Sequence, residues 1–490
     1  MATEKYGVYA QLVKSIASTP VSTDTNVIFI GASPSGELHK PQLITSMSEY
    51  QTKLGGAPGD GYNLTEAAIA AFSVAGINQV YMIPVSNSTE FDADDYIGDA
   101  ELFTGVYAIE NLLRENPTTV NILCAPSVTD SSVIAALNTI AKKADGHWVS
   151  FMVYDVEENA DQINEGNAVV VDEVVASKQL NDELADAVWG HVKTSGGYIV
   201  SGAAVRACLM AASDANYGVP ARCGGNLAIG GIQGIVGTGT TLIDAAIAWG
   251  DETSVSPLPY PGSEAHVVKR SESHTPPESD RLKGIPGTEY ELSTPVEGLK
   301  VYANSVGNIM ARNMKESGAI NMDSNYIQLK ENSAQVVTLT ESAATQLSAD
   351  GICSYINHGG GNWHTWGDHT SAFSAGSVDD ERARYDSNMR MLIMLTNRFQ
   401  LKYRFSIDDP MTLTMRNDVI QEENDNLAYL KSIGAIIGDA TCSFKADDNP
   451  VDNIALGQFV WSIESTITPP LKYAQLNVAY SQAGLSVYYQ

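Results

Sequence analysis

Strand-length apolar runs alternate with helix-like segments through the first half of the chain, and this alternation constrains the fold more than any other feature. The predicted strands are 27–30, 79–85, 120–125 and 148–153, and the predicted helices are 64–76, 133–144 and 181–192. Parallel strands need long crossover connections, which are usually helices. The pattern therefore predicts an α/β layer with a mainly parallel sheet.

The C-terminal part has a different pattern, in which helices come first and strands follow. Predicted helices cover 379–402, with acidic residues 379–381 in the first turn, and 411–433; predicted strands cover 440–446, 457–467 and 473–480. Anionic side chains stabilise the positive end of a helix dipole, which favours the start of the first helix. An α+β arrangement is expected here, with an antiparallel sheet covered by two helices.

Length and breaker residues divide the chain further. At roughly 150 residues per domain, a chain of 490 residues is expected to form about three domains. The predicted units are an N-terminal arm (1–25), an N-terminal α/β region (26–104), a middle α/β domain (105–250), a proline-punctuated β insertion that points outward (251–340), a C-terminal domain (341–480) and a C-terminal arm (481–490). Residues 6–13 and 484–490 have strand character, so each arm could pair with its own domain or with an edge on another molecule.

Composition excludes several classes of partner. The apolar fraction of 44% and charged fraction of 18% are typical of a globular protein. The formal net charge of -29 predicts repulsion from nucleic acid and from anionic lipid, so neither is an expected partner. No apolar run approaches a bilayer-spanning length and no secretory signal is present, which makes the cytosol the default compartment. The five scattered cysteines are predicted to be buried free thiols.

Two stretches suggest chemistry without completing a motif. Residues 230–241 are rich in glycine, but no lysine follows them and the dinucleotide-binding spacing is absent. His358, His364, His369 and Asp368 could bind a transition metal, although no HExxH, CxxC or Gly-x-Ser-x-Gly pattern accompanies them. We therefore assign no catalytic residue, cofactor or metal, and keep a metal-dependent hydrolase that uses the 358–369 cluster as the alternative.

The two ends of the chain carry a family likeness. The N-terminal pieces are, in order, Tyr6-Gly7-Val8-Tyr9, Val27-Ile28-Phe29-Ile30-Gly31, Pro41-Gln42-Leu43, the alanine-rich helix ending at Ala75-Gly76, and Val80-Tyr81-Met82-Ile83. The C-terminal pieces are Thr365-Trp366-Gly367, Asn388-x-Arg390, Gly434-Ala435-Ile436-Ile437-Gly438, Asn449-Pro450 and Pro469-Pro470. In this order and spacing the sequence resembles contractile tail sheath proteins. Asp368 and His369 replace the Ala-Arg pair usual in that family.

The resemblance implies a structural role rather than an enzymatic one. Sheath subunits polymerise helically around an inner tube and contract by rearrangement, which drives the tube through a target envelope. The implied partners are further copies of the chain, the inner tail tube protein, and baseplate and terminator proteins, with assembly in the bacterial cytoplasm and a final place in a virion tail or contractile injection particle. The arm residues implied to exchange strands are Tyr6, Val8, Tyr9, Leu12, Leu485, Val487, Tyr488 and Tyr489, and the implied tube-facing residues are Glu422, Glu423, Asp425 and Lys431.

A third hypothesis is that the chain is a solitary cytosolic binding protein with a Rossmann-like middle domain. It would be a stable monomer whose arms fold back onto their own chain.

Overall fold

The structure is a computed structural model. It describes residues 25–115, 120–142, 149–164, 168–194, 197–217, 228–229, 232–236, 337, 339–357 and 363–489. The predicted N-terminal strand 6–13 and almost all of the 251–340 insertion lie outside these ranges, as do His358 and Cys223.

Strands dominate the centre of the molecule and helices surround them. In chain order the strands are β1 (Val27–Ala32), β2 (Gln42–Ile44), β3 (Val80–Ser86), β4 (Ile122–Cys124), β5 (Phe151–Asp155), β6 (Ala185–Val188), β7 (His191–Thr194), β8 (Ile199–Val200), β9 (Ala228–Ile229), β10 (Ile232–Val236), β11 (Ile352–Asn357), β12 (Trp363–Trp366), β13 (Ile436–Ser443) and β14 (Ser462–Ile467). The α-helices are α1 (Met47–Leu54), α2 (Asn63–Ile69), α3 (Ala93–Ile97), α4 (Ile109–Glu115), α5 (Ser131–Ala141), α6 (Val171–Ala176), α7 (Gly202–Tyr217), α8 (Glu341–Ala349), α9 (Asp386–Tyr403), α10 (Leu413–Ser432) and α11 (Val451–Ala455).

The main sheet is largely parallel, as the strand and helix alternation predicts. Its strand order is β2-β3-β1-β4-β5-β6-β11-β12-β9. The pairs from β3 through to β11 are parallel, whereas β2, β12 and β9 each pair antiparallel at the two margins. Strands β10, β7 and β8 form a separate antiparallel sheet.

Both faces of the main sheet are covered, so its central strands are apolar on both sides. In β1, Val27 and Phe29 belong to one core while Ile28 and Ile30 belong to the other. The first core also contains α2 and α7, and the second contains α5 and α8. A continuous apolar run is what a strand buried on both faces requires.

Most elements of the N-terminal and middle regions match their predictions, with one clear error. The alanine-rich helix runs from Asn63 through a π-helical stretch, Ala70–Ala75, and ends at Gly76, whose φ of 65° is left-handed. Residues 181–192 are not a helix, because β6 and the start of β7 occupy them. The side chains of β6 are buried on both faces of the sheet, and a short apolar run of this kind can be read as either element.

The C-terminal part contains the predicted helices and an antiparallel pair of strands, with shifted boundaries. Residues 381–384 form a 3-10 turn capped by Asp380, and α9 begins only at Asp386. Strands β13 and β14 pair antiparallel, and a third apolar core joins them to α9 and α10. The prediction of a strand at 473–480 is wrong, because these residues pair with no strand among the described residues.

Cys124, Cys208, Cys353 and Cys442 are buried free thiols, as predicted. No helix in the described part of the chain has the length and hydropathy to cross a bilayer.

Candidate assembly surfaces

The C-terminal layer is built on the pair β13–β14 and the helix α10 behind it. Leu427 and Leu430 of α10 pack with Ile436 of β13 in the third core. Phe399, Phe444 and Trp461 extend this core as an aromatic cluster, with ring centroids 5.7 Å apart for the last two. The outer face of the two-stranded sheet remains exposed along much of β13.

The two outer edges of this sheet are not equivalent. The side chain of Asn424 on α10 hydrogen-bonds the backbone of Cys442, accepting from its N–H at 2.8 Å and donating to its carbonyl at 3.4 Å. This capping covers the edge of β13 at that position. No described residue pairs with the outer edge of β14, which pairs only with β13. An unpaired strand edge is a template for a further strand.

The chain leaves β14 as an exposed stretch, residues 468–481, which we call the tail segment. It carries large apolar side chains in water: Leu476 is 85% exposed and Val478 83% exposed. The Tyr473 hydroxyl donates to Gln475, and the Gln475 amide donates to Asn477. Contacts between residues two apart are typical of extended chain, where alternate side chains share a face. The tail segment is therefore amphipathic, with an apolar face at Leu476, Val478 and Tyr480.

The C-terminal arm differs from its predicted conformation. Residues Gln482–Tyr489 form 3-10 turns rather than a strand, and Leu485 and Val487 in them are exposed. Runs of 3-10 helix longer than a turn are uncommon, because their hydrogen bonds have poor geometry. The residues of the N-terminal arm, Tyr6 to Leu12, lie outside the described residues.

The predicted tube-facing residues do not share one surface. Glu422, Asp425 and Lys431 are exposed on α10, but Glu423 is buried. Glu423 accepts a hydrogen bond from the Tyr403 hydroxyl at 3.3 Å and lies 3.8 Å from Arg398 and 3.7 Å from Lys402. Its assignment to an outer face is wrong, because α10 turns this position towards α9.

The histidine cluster does not form a metal site among the described residues. His369 stacks on Phe373 with ring centroids 3.8 Å apart, and its Nδ1 lies 2.8 Å from the carbonyl of Arg384. Asp368 forms an ion pair with Lys472, and its charge also acts on the adjacent His369. Within the described ranges, which exclude His358, no group of three His, Cys, Asp or Glu side chains is placed to hold a metal ion.

A second group of charges lies where the parallel strands end. His191 Nδ1 lies 2.9 Å from Glu158, its Nε2 lies 3.0 Å from the Ser127 hydroxyl, and that hydroxyl donates to Glu66 at 2.5 Å. A cavity of about 600 Å³ adjoins this group and is lined by Glu66, Ser127 and other residues of the same sheet edge. The sequence did not single out these residues, because they come from segments far apart in the chain.

Sheet edges open to a further strand, next to an exposed amphipathic segment, are features of subunits that join their neighbours by strand addition. The tail sheath protein of Escherichia phage P2 is 25% identical over 129 residues, a match that spans 26% of this chain and 30% of the phage protein. No protein-family model matches the sequence.

Two solved structures extend the likeness along the whole chain. The sheath complex of PVC, an extracellular contractile injection system, in its contracted state has a TM-score of 0.57 at 13% identity, covering 99% of each chain. The contracted helical sheath of the anti-feeding prophage has a TM-score of 0.57 at 13% identity, covering 98% of this chain and 100% of that one. The predicted resemblance to contractile tail sheath proteins is thus confirmed, and the fold is that of sheath subunits.

Proposed function

We propose that this chain is a structural, non-enzymatic subunit of a contractile tail sheath. It polymerises helically around an inner tube and contracts by rearrangement of subunits, which drives the tube through a target envelope. The observations that carry this proposal are the exposed apolar face of the tail segment and the outer edge of β14, which no described residue pairs with. Large apolar side chains that stay in water mark a surface that a partner covers.

The partner proposed for the tail segment is the β14 edge of a neighbouring copy. The tail segment has no sheet partner among the described residues, and the opposite edge of the two-stranded sheet is capped at Cys442 by Asn424. A strand added to β14 would gain backbone hydrogen bonds worth about 1 kcal/mol net each. Its apolar face would leave water, at about 25 cal/mol per Å² buried.

Contacts of this kind are heterologous, because a donor segment on one copy meets an acceptor edge on the next. Heterologous contacts that do not close into a ring generate helical filaments. The energy for contraction then comes from the lattice itself, as a metastable extended arrangement relaxes to one with more buried contact. No nucleotide or other fuel enters this scheme.

The remaining partners follow from the same proposal. The tube-facing set is reduced to Glu422, Asp425 and Lys431, because these side chains are exposed on α10. Baseplate and terminator proteins bind the two ends of the polymer. Assembly takes place in the bacterial cytoplasm, and the finished subunit belongs to a virion tail or contractile injection particle, including one that ejects a viral genome.

Adjacent residues of the tail segment provide a matched test. Val478→Asp places a charge on the apolar face, whereas Asn477→Asp adds the same charge on the polar face beside it. Purified wild-type protein at high concentration is expected to form tubes or stacked rings in negative-stain electron micrographs. Asn477→Asp should retain them, whereas Val478→Asp and a chain ending at Lys472, which lacks the apolar face, should lose them. Tubes of normal length from Val478→Asp would contradict donation by the apolar face.

A further inference from the structure

Lys472, near the start of the tail segment, ties that segment to the body of the subunit. Its ammonium group forms an ion pair with Asp368, and it lies 5.6 Å from the centroid of the Tyr385 ring. The Lys472 side chain is 39% exposed, whereas that of Asp368 is 2% exposed. A nearly buried carboxylate therefore depends on a cation that belongs to an otherwise exposed segment.

Asp368 is part of a larger buried group of charges. Its carbonyl accepts a hydrogen bond from the N–H of Asp386 at 2.9 Å. Arg206 pairs with Asp386 at 2.6 Å and with Asp186 at 3.0 Å, and these three side chains are fully buried. Burial raises the pKa of Asp386 to about 7, with the opposing effect of Arg206 and the contributions of the nearby Asp186 and Asp368 carboxylates included. Asp368 therefore faces two other carboxylates that already share the guanidinium of Arg206.

Removing Lys472 from this site would leave Asp368 buried beside like charges. An unpaired buried charge is costly, because neither water nor a counterion compensates for it. The ion pair therefore resists any motion that lifts Lys472 away from the body. Among the described residues, those from Tyr473 to Tyr480 make no such contact, and their side-chain hydrogen bonds join only residues of the tail segment.

We propose that the Lys472–Asp368 pair is a clamp that fixes the root of the tail segment, so that the segment pivots after Lys472 and not where it leaves β14. Residues 468–472 then move with the body, and residues 473–481 form the part that reorients. The clamp sets the point and direction from which the segment leaves its own subunit. In the polymer, a fixed starting point would limit the orientations of the tail segment, so that its apolar face is presented to the neighbouring subunit.

The N-terminal end of the described chain is held by the helices α7 and α9. The Thr25 hydroxyl donates to Asp214 of α7, and Asp214 forms an ion pair with Arg390 of α9. Arg390 lies one helical turn after Asp386, which holds the other end of this charge network. The root of the N-terminal arm is thus attached directly to α7, whereas that of the tail segment reaches α9 through Asp368, whose carbonyl accepts from the Asp386 N–H.

The clamp can be tested by limited proteolysis of the dissociated chain, which does not depend on polymerisation. Chymotrypsin cleaves after tyrosine, and the tail segment carries Tyr473 next to the clamp and Tyr480 well beyond it. Clamping should protect Tyr473, while Tyr480 serves as an internal reference for accessibility. The measured quantity is the ratio of the initial cleavage rates at the two sites.

Asp368→Asn breaks the pair without changing the sequence around either tyrosine. The Tyr473 to Tyr480 ratio is expected to rise about tenfold in this variant and in Lys472→Met, with no further rise in the double mutant, since both changes remove one interaction. Lys472→Arg should keep the wild-type ratio. Lys431→Met, which alters an exposed pair with Asp439, is the matched control and should leave the ratio unchanged.

Two results would overturn the clamp. One is an unchanged ratio in both Asp368→Asn and Lys472→Met, of which the second alters a partly exposed side chain and is not expected to unfold the chain. The other is a double mutant whose effect equals the product of the two single effects, because independent effects mean that the two residues do not act through one contact. Failure of the polymer test leaves this measurement unaffected, so the two proposals are judged separately.

Discussion

Arg206 Nη2 lies 2.6 Å from Asp386 Oδ2, and neither side chain reaches solvent. The same guanidinium pairs with Asp186, so one cation from α7 balances two buried carboxylates.

Arg206→Met would remove the cation that these two carboxylates share. We expect the free energy of unfolding to fall by about 3–5 kcal/mol, measured by denaturant titration with circular dichroism. Arg382→Met removes an exposed arginine and should change it by less than about 0.5 kcal/mol. Similar losses in the two variants would contradict this account.

Stability should decline as the pH rises through neutrality. Burial opposes the protonated form of His191, but Glu158, Asp155 and Glu66 outweigh it and raise the pKa of His191 to about 10, from an ordinary value of 6.5. Burial raises the pKa of Glu66 to about 7, from 4.5. Both groups bind protons more tightly in the folded state. The stability from Glu66 is therefore lost between about pH 4.5 and 7, and that from His191 between about pH 6.5 and 10.

Glu158→Gln isolates the His191 contribution. It removes the carboxylate 2.9 Å from Nδ1, so the folded-state pKa of His191 should move back towards 6.5. Unfolding midpoints at pH 7, 8 and 9 should fall in the wild-type protein and fall less in Glu158→Gln. Equal slopes in the two proteins would show that another group controls stability in this range.

Alanine substitutions at two glycines distinguish the cost of backbone strain from the cost of steric overlap. Gly351 and Gly376 both have left-handed φ angles, 67° and 76°. A Cβ on Gly351 would lie 2.4 Å from the Thr370 carbonyl oxygen and 2.6 Å from that of Phe373, whereas a Cβ on Gly376 meets nothing within 4 Å. Gly376→Ala should cost about 1 kcal/mol of unfolding free energy, and Gly351→Ala about 3 kcal/mol. Thermal unfolding measures both, and equal costs would argue against the overlap.

Two neighbouring glutamates on α10 should respond differently to the same substitution. Glu423 is buried 3.8 Å from Arg398 and 3.7 Å from Lys402, so Glu423→Gln, which removes the charge that these cations face, is expected to cost about 1–3 kcal/mol of unfolding free energy. Glu422 is exposed, pairs with Lys402 and accepts a hydrogen bond from the Tyr403 hydroxyl at 2.9 Å; because Gln keeps an acceptor oxygen, Glu422→Gln should change the unfolding free energy by less than about 0.5 kcal/mol. Denaturant titration compares the two. A larger loss from Glu422→Gln would contradict the orientation of α10.

The sequence predicted the elements whose local signals agree with their burial. The run Val27 to Ile30 is apolar at every position, and it forms a strand that contributes to the cores on both faces of the sheet. Helix α5 begins after Asp130, whose side chain accepts from two backbone N–H groups of the first turn. The error at 181–192 has the opposite cause: alanine favours a helix locally, but the sheet interior buries both faces of β6.

The assembly surfaces were predicted less completely, because they depend on which elements pack together. An acidic run at 422–425 does not show which member faces α9, and Glu423 proved to be the buried one. The strand predicted at 473–480 is an extended segment, but it has no sheet partner among the described residues. The pair Lys472–Asp368 spans 104 residues of sequence, so no local pattern could indicate it.

The exposed apolar face of the tail segment also has a thermal consequence. Covering Leu476 and Val478 removes apolar surface from water, and such burial lowers the heat capacity of the system. The hydrophobic part of that contact weakens as the temperature falls. A lattice held together by these segments therefore becomes less cohesive in the cold, and chilling offers a mild way to separate its subunits without denaturant.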